Sequence, residues 1–154
     1  MEIALLRTGL RAGSLDVVLA WVPGRADGAR GGVVREVEPG DHPRVARARR
    51  WRRDLRVFEG DGGMLVIGRG LAERLELSVE VDAARRDHGL ARRLVSAALA
   101  AAAPDEPVFA QVAAANAASL RALQPAGFAA VGAEVLFGPR EDFLRRTGGD
   151  VAVG

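Results

Sequence analysis

The residues of this chain whose types and spacing could hold a ligand are concentrated at Arg86-Asp87-His88-Gly89-Leu90-Ala91. Beyond Gly89, the apolar residues Leu90, Leu94, Val95 and Leu99 recur at three- to five-residue intervals, so a helix opens at this point. A helix start leaves several backbone N–H groups without partners, and the helix dipole makes that end electropositive. Gly89 and Ala91 lack bulk and let a ligand approach the backbone closely. Arg85, Arg86, Arg92 and Arg93 add positive charge around the turn. This is the chemistry of a phosphate or diphosphate cradle. The same local pattern also suits an ordinary strand-to-helix connection whose glycine relieves a tight turn.

The element that must position this turn is the stretch before it. Leu75, Leu77, Val79 and Val81 alternate strictly with Glu76, Ser78 and Glu80, the two-residue period of a half-buried strand. Asp82 to His88 is polar and turn-forming, so the chain runs strand, turn, helix. Upstream, Val33 to Val37 reads as a short strand. Asp41 is expected to cap a helix over about Pro43 to Asp54. Val45, Ala48 and Trp51 would turn to the core there, leaving Arg44, Arg47, Arg49, Arg50, Arg52 and Arg53 as a solvated face or an anion-binding one. Leu55 to Phe58 and Met64 to Ile67 predict two strands joined by a glycine-rich hairpin turn. Downstream come a helix over 89–103 ending before Pro104, a strand at Val108 to Val112, and a helix starting at Asn116 and limited by Pro125 and Gly127. Phe128 to Phe137 is strand-like, and Glu141 to Arg146 could add a last strand.

A chain of 154 residues, 49% hydrophobic and 27% charged, fits one domain with a substantial core. All 22 basic residues are arginine, and lysine, tyrosine and cysteine are absent. Without cysteine there is no disulfide frame, thiolate nucleophile or thiolate metal site, and two histidines, His42 and His88, exclude a histidine-rich metal centre. Leu15 to Val22 predicts a strand; its apolar run is too short for a membrane span and Asp16 interrupts it. Met1 to Leu10 makes no convincing secretory signal. The organisation expected is an N-terminal arm over 1–32 whose role the pattern leaves open, a domain over 33–146 and a frayed tail over 147–154.

Arg86-x-x-Gly89-x-Ala91 after an alternating strand resembles the acyl-CoA pyrophosphate loop of the GNAT superfamily, the acyl-CoA-dependent N-acyltransferases. Asn116-Ala-Ala-Ser119-Leu-Arg-Ala-Leu123-Gln-Pro-Ala-Gly127-Phe128 resembles that family's late helix and following strand. Both pieces stand in the right order, and the resemblance covers roughly residues 33 to 137. It implies an α/β fold with a mixed, mostly antiparallel central sheet, splayed at its central strands, and helices on both faces. It also implies acetyl-CoA or another acyl-CoA as co-substrate, with no metal. Backbone groups around Val79 and Val81 would pair with the pantetheine arm. The diphosphate would sit on the amides of Asp87, His88, Gly89, Leu90 and Ala91 near Arg86, and Asn116 and Ser119 would lie near the pantetheine or its thioester. Asn116 also suits a plain helix cap, and Ser119 an ordinary helix residue. Two positions in the loop depart from the common pattern. Asp87 puts a carboxylate beside the proposed diphosphate, which weakens binding unless Arg85 or Arg86 pairs with it. His88 stands for a common basic residue and keeps that role only when protonated.

Acyl transfer needs a neutral amine, and a carboxylate can take its proton directly or through water. Glu80 is the first candidate and Glu76 the second, both on the polar face of the central strand. Leu123 stands where the family often has a tyrosine that protonates the departing thiolate, and Gln111 where some members carry a glutamate. The expected function is N-acyl transfer, acetyl first, to a small-molecule or peptide amine in a ternary complex, in the cytoplasm. Two alternatives remain: a CoA-binding or regulatory module without catalysis, and an arginine-rich binder of an anionic partner or nucleic acid. Neither membrane nor nucleic acid is the expected partner; the N-terminal arm could add a strand, cover the acceptor site or mediate a homodimer.

Overall fold

The computed structural model describes residues 9–24, 33–60, 62–85 and 89–139. Seven strands form one sheet: β1 (Leu10–Trp21), β2 (Val34–Val37), β3 (Arg53–Gly60), β4 (Gly63–Arg69), β5 (Leu75–Val81), β6 (Val108–Ala113) and β7 (Ala129–Pro139), in the order β2-β3-β4-β5-β6-β1-β7. Every neighbouring pair is antiparallel except β5 with β6. Among the described residues the α-helices are α1 (Pro43–Trp51), α2 (Leu90–Ala102) and α3 (Ala117–Leu123). This is the mixed, mostly antiparallel sheet with helices on both faces that the motifs imply.

Strand alternation sorts the sheet into two faces. On one, Leu77, Val79, Leu65, Ile67, Phe58, Val108, Ala110 and Val112 pack with Leu94, Val95, Ala98 and Leu99 of α2 and Leu123 of α3. On the other, Val57, Met64 and Val66 pack with Val45 and Ala48 of α1. Glu76, Ser78 and Glu80 share this second face, because they stand opposite Gly68, Val66 and Met64.

Several boundaries differ from the sequence reading. The segment expected as a strand from Leu15 starts earlier, and β1 inserts between β6 and β7, so the N-terminal stretch supplies an interior strand of the same sheet. Asp16, which interrupts its apolar run, is buried and accepts a hydrogen bond from Ser14 Oγ at 2.7 Å. Helix α1 is capped by His42, whose Nδ1 accepts from the Arg44 N–H, rather than by Asp41. Pro43 at the first helical position fixes that register. The helix ends at Trp51, which is 56% exposed, whereas Arg44 is buried. The candidate strand over 141–146 and the tail over 147–154 lie outside the described residues.

Candidate functional site

The site is built where β5 and β6 part. Their parallel ladder comprises two register pairs among the described residues, Leu75 with Val108 and Glu76 with Phe109. Both strands then run on, to Val81 and to Ala113. The register decides what faces the gap. The Asp82 N–H donates to Gly62 O, and Gly70 donates to Arg74 O, so even-numbered residues of β5 direct their backbone groups to β4. The N–H and C=O groups of Val79 and Val81 therefore point into the gap. On β6, Ala114 N–H donates to Leu15 O on the β1 side, which turns the backbone groups of Gln111 and Ala113 towards the same gap. Backbone polar groups of this kind require partners.

At the far end of β5 the chain passes through a 3-10 turn at Ala83–Arg85 and enters α2. Arg86, Asp87 and His88, the charged members of the sequence motif, lie outside the described residues. Gly89 is the N-cap of α2 in the left-handed conformation (φ 65°, ψ 16°), without a side-chain cap. Gly89 has no side chain to supply the usual capping oxygen to the N–H groups of the first turn. Glycines seat this end of the helix: a Cβ on Gly63 would stand 2.7 Å from Leu94 Cδ1, and one on Gly62 would stand 3.0 Å from Leu90 Cδ2. The Leu90 side chain packs against the core, so only its backbone is left to face a ligand.

The two candidate bases occupy different surroundings. Glu80 keeps 43% of its side chain exposed and takes Arg44 Nε at 2.6 Å on Oε2. Glu76 is closed in, at 7% side-chain exposure. Its carboxylate accepts from Arg52 Nε at 3.1 Å, Arg74 Nε at 2.9 Å and the Leu71 N–H at 3.2 Å. Burial pushes the Arg52 guanidinium below its ordinary value, against the attraction of Glu76. Arg52 Nη1 also donates to Ser78 Oγ at 3.0 Å. Arg74 continues to Glu134 on β7, with Nη2 to Oε1 at 2.8 Å, and Gln111 Nε2 donates to the same oxygen. Arg44, Arg52, Arg74 and Glu134 were not legible as site residues. The only signal was the alternation Arg74-x-Glu76-x-Ser78-x-Glu80 opposite an arginine-rich helix. Two of the arginines expected on a solvated face, Arg44 and Arg52, are thus committed to ion pairs inside the fold.

Asn116 caps α3: its Oδ1 accepts from the Ser119 N–H at 3.1 Å. Ser119 is fully buried, and its Oγ has no hydrogen-bond partner among the described residues. Leu123, one helical turn further on, is core. No group of three or more His, Cys, Asp or Glu among the described residues could hold a metal ion, and no helix among them is long and apolar enough to cross a membrane.

A mixed sheet splayed between two parallel central strands, with a helix opening at the end of the first, defines the class: this is the fold of the GNAT acetyltransferases. The chain is similar to a GNAT-family protein from Novosphingobium aromaticivorans, with a TM-score of 0.56 and 22% identity over 85% of this chain and 68% of that one. It is similar to a GCN5-related N-acetyltransferase from Kribbella flavida, with a TM-score of 0.58 and 15% identity over 91% of this chain and 63% of that one. It is also similar to a GNAT-family acetyltransferase from Colwellia psychrerythraea, at 0.56 and 13% over 82% and 56%. The chain thus spans between about half and two thirds of the length of these structures. No family model matches the sequence. No curated protein matches it at a significant level.

Proposed function

We propose that this chain is an acyl-CoA-dependent N-acyltransferase that moves an acyl group, acetyl in the first instance, from the thioester to an amine. The observation that carries the reading is the gap-facing edge of β5, where Val79 and Val81 present backbone donors and acceptors beyond the end of the β5–β6 ladder. A pantetheine arm carries two amides and can complete such an edge as an added strand would. In this reading the diphosphate rests on the N–H groups of Gly89, Leu90 and Ala91 beside Arg86, with Asp87 and His88 flanking it. The buried, unpartnered hydroxyl of Ser119 is a donor in reserve for the arm or its thioester. Asn116 holds the end of α3 by its Oδ1 and retains its Nδ2 for the ligand.

The neutral amine attacks the thioester carbonyl carbon; the C–N bond forms, the C–S bond breaks and the CoA thiolate leaves. Glu80, whose side chain is 43% exposed and whose Oε2 accepts from Arg44 Nε, takes the proton lost by the nitrogen, directly or through water. Glu76, saturated by three donors and closed from solvent, does not fit that role. Leu123 has no proton to give, so water protonates the thiolate. With no cysteine in the chain, a cysteinyl acyl intermediate is excluded, and transfer within a ternary complex follows. The names of the structural neighbours support acetyl as the group carried.

The test is thiol release from acetyl-CoA over a panel of amines, with wild type and Glu80→Gln. The variant is expected to lose about 10²-fold or more in kcat, the usual scale of a positioned base, with acetyl-CoA affinity kept within about twofold because Glu80 makes no contact with the arm in this reading. Failure of the folded wild type to bind acetyl-CoA would overturn it. The second reading, a CoA-binding or regulatory module without turnover, is favoured by the Arg44–Glu80 pair and by Leu123; it predicts saturable binding with no thiol release for any amine.

A further inference from the structure

Two adjacent parallel strands whose ladder stops while both continue pose a physical question. Val79 and Val81 on one rim and Gln111 and Ala113 on the other carry complementary backbone groups, and pairing them would satisfy four residues at once. The ladder nevertheless ends at Glu76 and Phe109. The side chains at the vertex form a continuous charged chain. Arg74 lies one residue before the ladder begins; its guanidinium carbon is 5.4 Å from the ring centroid of Phe109, a member of the last pair. From there it reaches across β6 and β1 to Glu134 on β7, while its Nε stays on Glu76. Arg52, from the end of α1, takes the other side of Glu76 and holds Ser78 Oγ.

The first polar side chain beyond the vertex on each rim is thereby drawn away from the gap. Ser78 is held on the α1 side by Arg52, and Gln111 on the β7 side by Glu134. The side chains of Arg52, Arg74, Glu76 and Glu134 are 12%, 17%, 7% and 20% exposed. Two cations and two carboxylates balance, so the chain carries no net charge into the sheet. Buried ion networks of this kind contribute more to specifying a geometry than to stability. We infer that the Arg52–Glu76–Arg74–Glu134 chain, with Gln111 as its outer tether, is a clip that keeps β5 and β6 from pairing beyond Glu76 and Phe109, and that Arg74 is a positioning residue for the acyl-CoA arm. The second clause rests on the acyltransferase reading; the first does not.

The test uses the whole chain and a double variant, Arg74→Met/Glu134→Leu, which removes both ends of the link and strands neither charge. Amide hydrogen exchange of the ligand-free protein is followed by NMR at Val79 and Val81, and acetyl-CoA binding by calorimetry. Wild type is expected to exchange quickly at both amides. The variant is expected to gain protection there as the ladder closes, and to bind acetyl-CoA more weakly by about tenfold, on the scale by which residues that touch neither ligand shift a binding equilibrium. Unchanged exchange and unchanged binding in a folded variant overturn the clip. If the double variant does not fold, Glu134→Gln, which breaks the ionic link from Arg74 while leaving Arg74 paired with Glu76, decides by the same two readouts. If wild type binds no acetyl-CoA, the acyltransferase reading fails separately, and exchange at Val79 and Val81 alone decides the clip.

Discussion

Gly89 offers the sharpest separation of stability from ligand binding. Its φ of 65° lies in the left-handed region, and among the described residues the nearest atom to a Cβ there is Arg93 Nη1 at 3.7 Å. Substitution therefore costs backbone strain, about 1–2 kcal/mol for an L-residue held in that region. For a domain of this size, that corresponds to a fall in Tm of roughly 2–8 °C. Gly89→Ala and Gly89→Glu share this cost. The glutamate, placed at a helix N-terminus, recovers about 0.3–1 kcal/mol from the dipole, so Gly89→Glu is expected to be at least as stable as Gly89→Ala. Their effects on acyl-CoA should run the other way. A carboxylate about 6 Å from a bound diphosphate charge costs about 3 kcal/mol at an effective dielectric constant near 20, a loss of roughly 100-fold in affinity. Gly89→Ala keeps every N–H of the turn and should lose only a few-fold. Calorimetric titration of acetyl-CoA beside thermal melts measures both quantities on the same samples. Equal binding by all three proteins would refute the placement of the diphosphate on this turn.

Other substitutions test the surroundings. Ser119→Ala removes a buried hydroxyl with no partner, so stability in urea should be unchanged or higher by up to about 1 kcal/mol, while acetyl-CoA affinity falls if the hydroxyl serves the arm. Arg52→Met leaves the closed-in Glu76 with one fewer cation and Ser78 without its donor; denaturant titration should show a loss of about 3 kcal/mol or more. The Arg56 hydrogen bonds hold Glu36 below its ordinary carboxylate value of 4.5, and those of Arg69 do the same for Glu106. These depressed groups add stability that is present above about pH 4.5 and lost as pH falls through their folded values. The urea midpoint should therefore drop on acidification below pH 4.5, and Glu36→Gln should flatten part of that slope.

The parts of the fold that sequence made legible are those whose signals are local. The alternation of Leu75 to Val81 and the helical recurrence from Leu90 to Leu99 each depend on neighbours a few residues away, and both elements stand as expected. Of the turn between them, expected over Asp82 to His88, the described part is the 3-10 turn at Ala83–Arg85; Arg86 to His88 lie outside the described residues. What escaped depends on partners far along the chain. Glu76 and Glu80 look alike in sequence, on one face of one strand. Only Arg52 and Arg74 closing over the first, and the greater exposure of the second beside Arg44, distinguish a buried junction from a half-exposed ion pair. Arg44 and Arg52 read as part of a solvated helix face because the helix was extended past Trp51 to Asp54 on the Val45, Ala48, Trp51 stripe. The helix stops at Trp51, and the buried positions are Arg44, Val45 and Ala48. Pro43 could have identified His42 as the cap, since proline favours the first helical position. The place of β1 was beyond local reach altogether, because its neighbours in the sheet lie in the last third of the chain.

The position of β1 also constrains how the chain can fold. Of the seven described strands it is made first, yet the two that flank it, β6 and β7, are made last. During synthesis its two hydrogen-bonding edges have no native neighbour until α2 has already been completed. Non-local pairing of this kind slows folding, because loop closure must precede the contacts that reward it. The β2–β5 meander, by contrast, pairs only sequential strands and can form early. The gap beside β5 is therefore among the last features to take shape, since its far rim, β6, is secured from behind by β1. An apolar, edge-exposed β1 waiting for its partners is the species most open to aggregation, and conditions that delay completion of the C-terminal strands should raise its yield of misassembled chains.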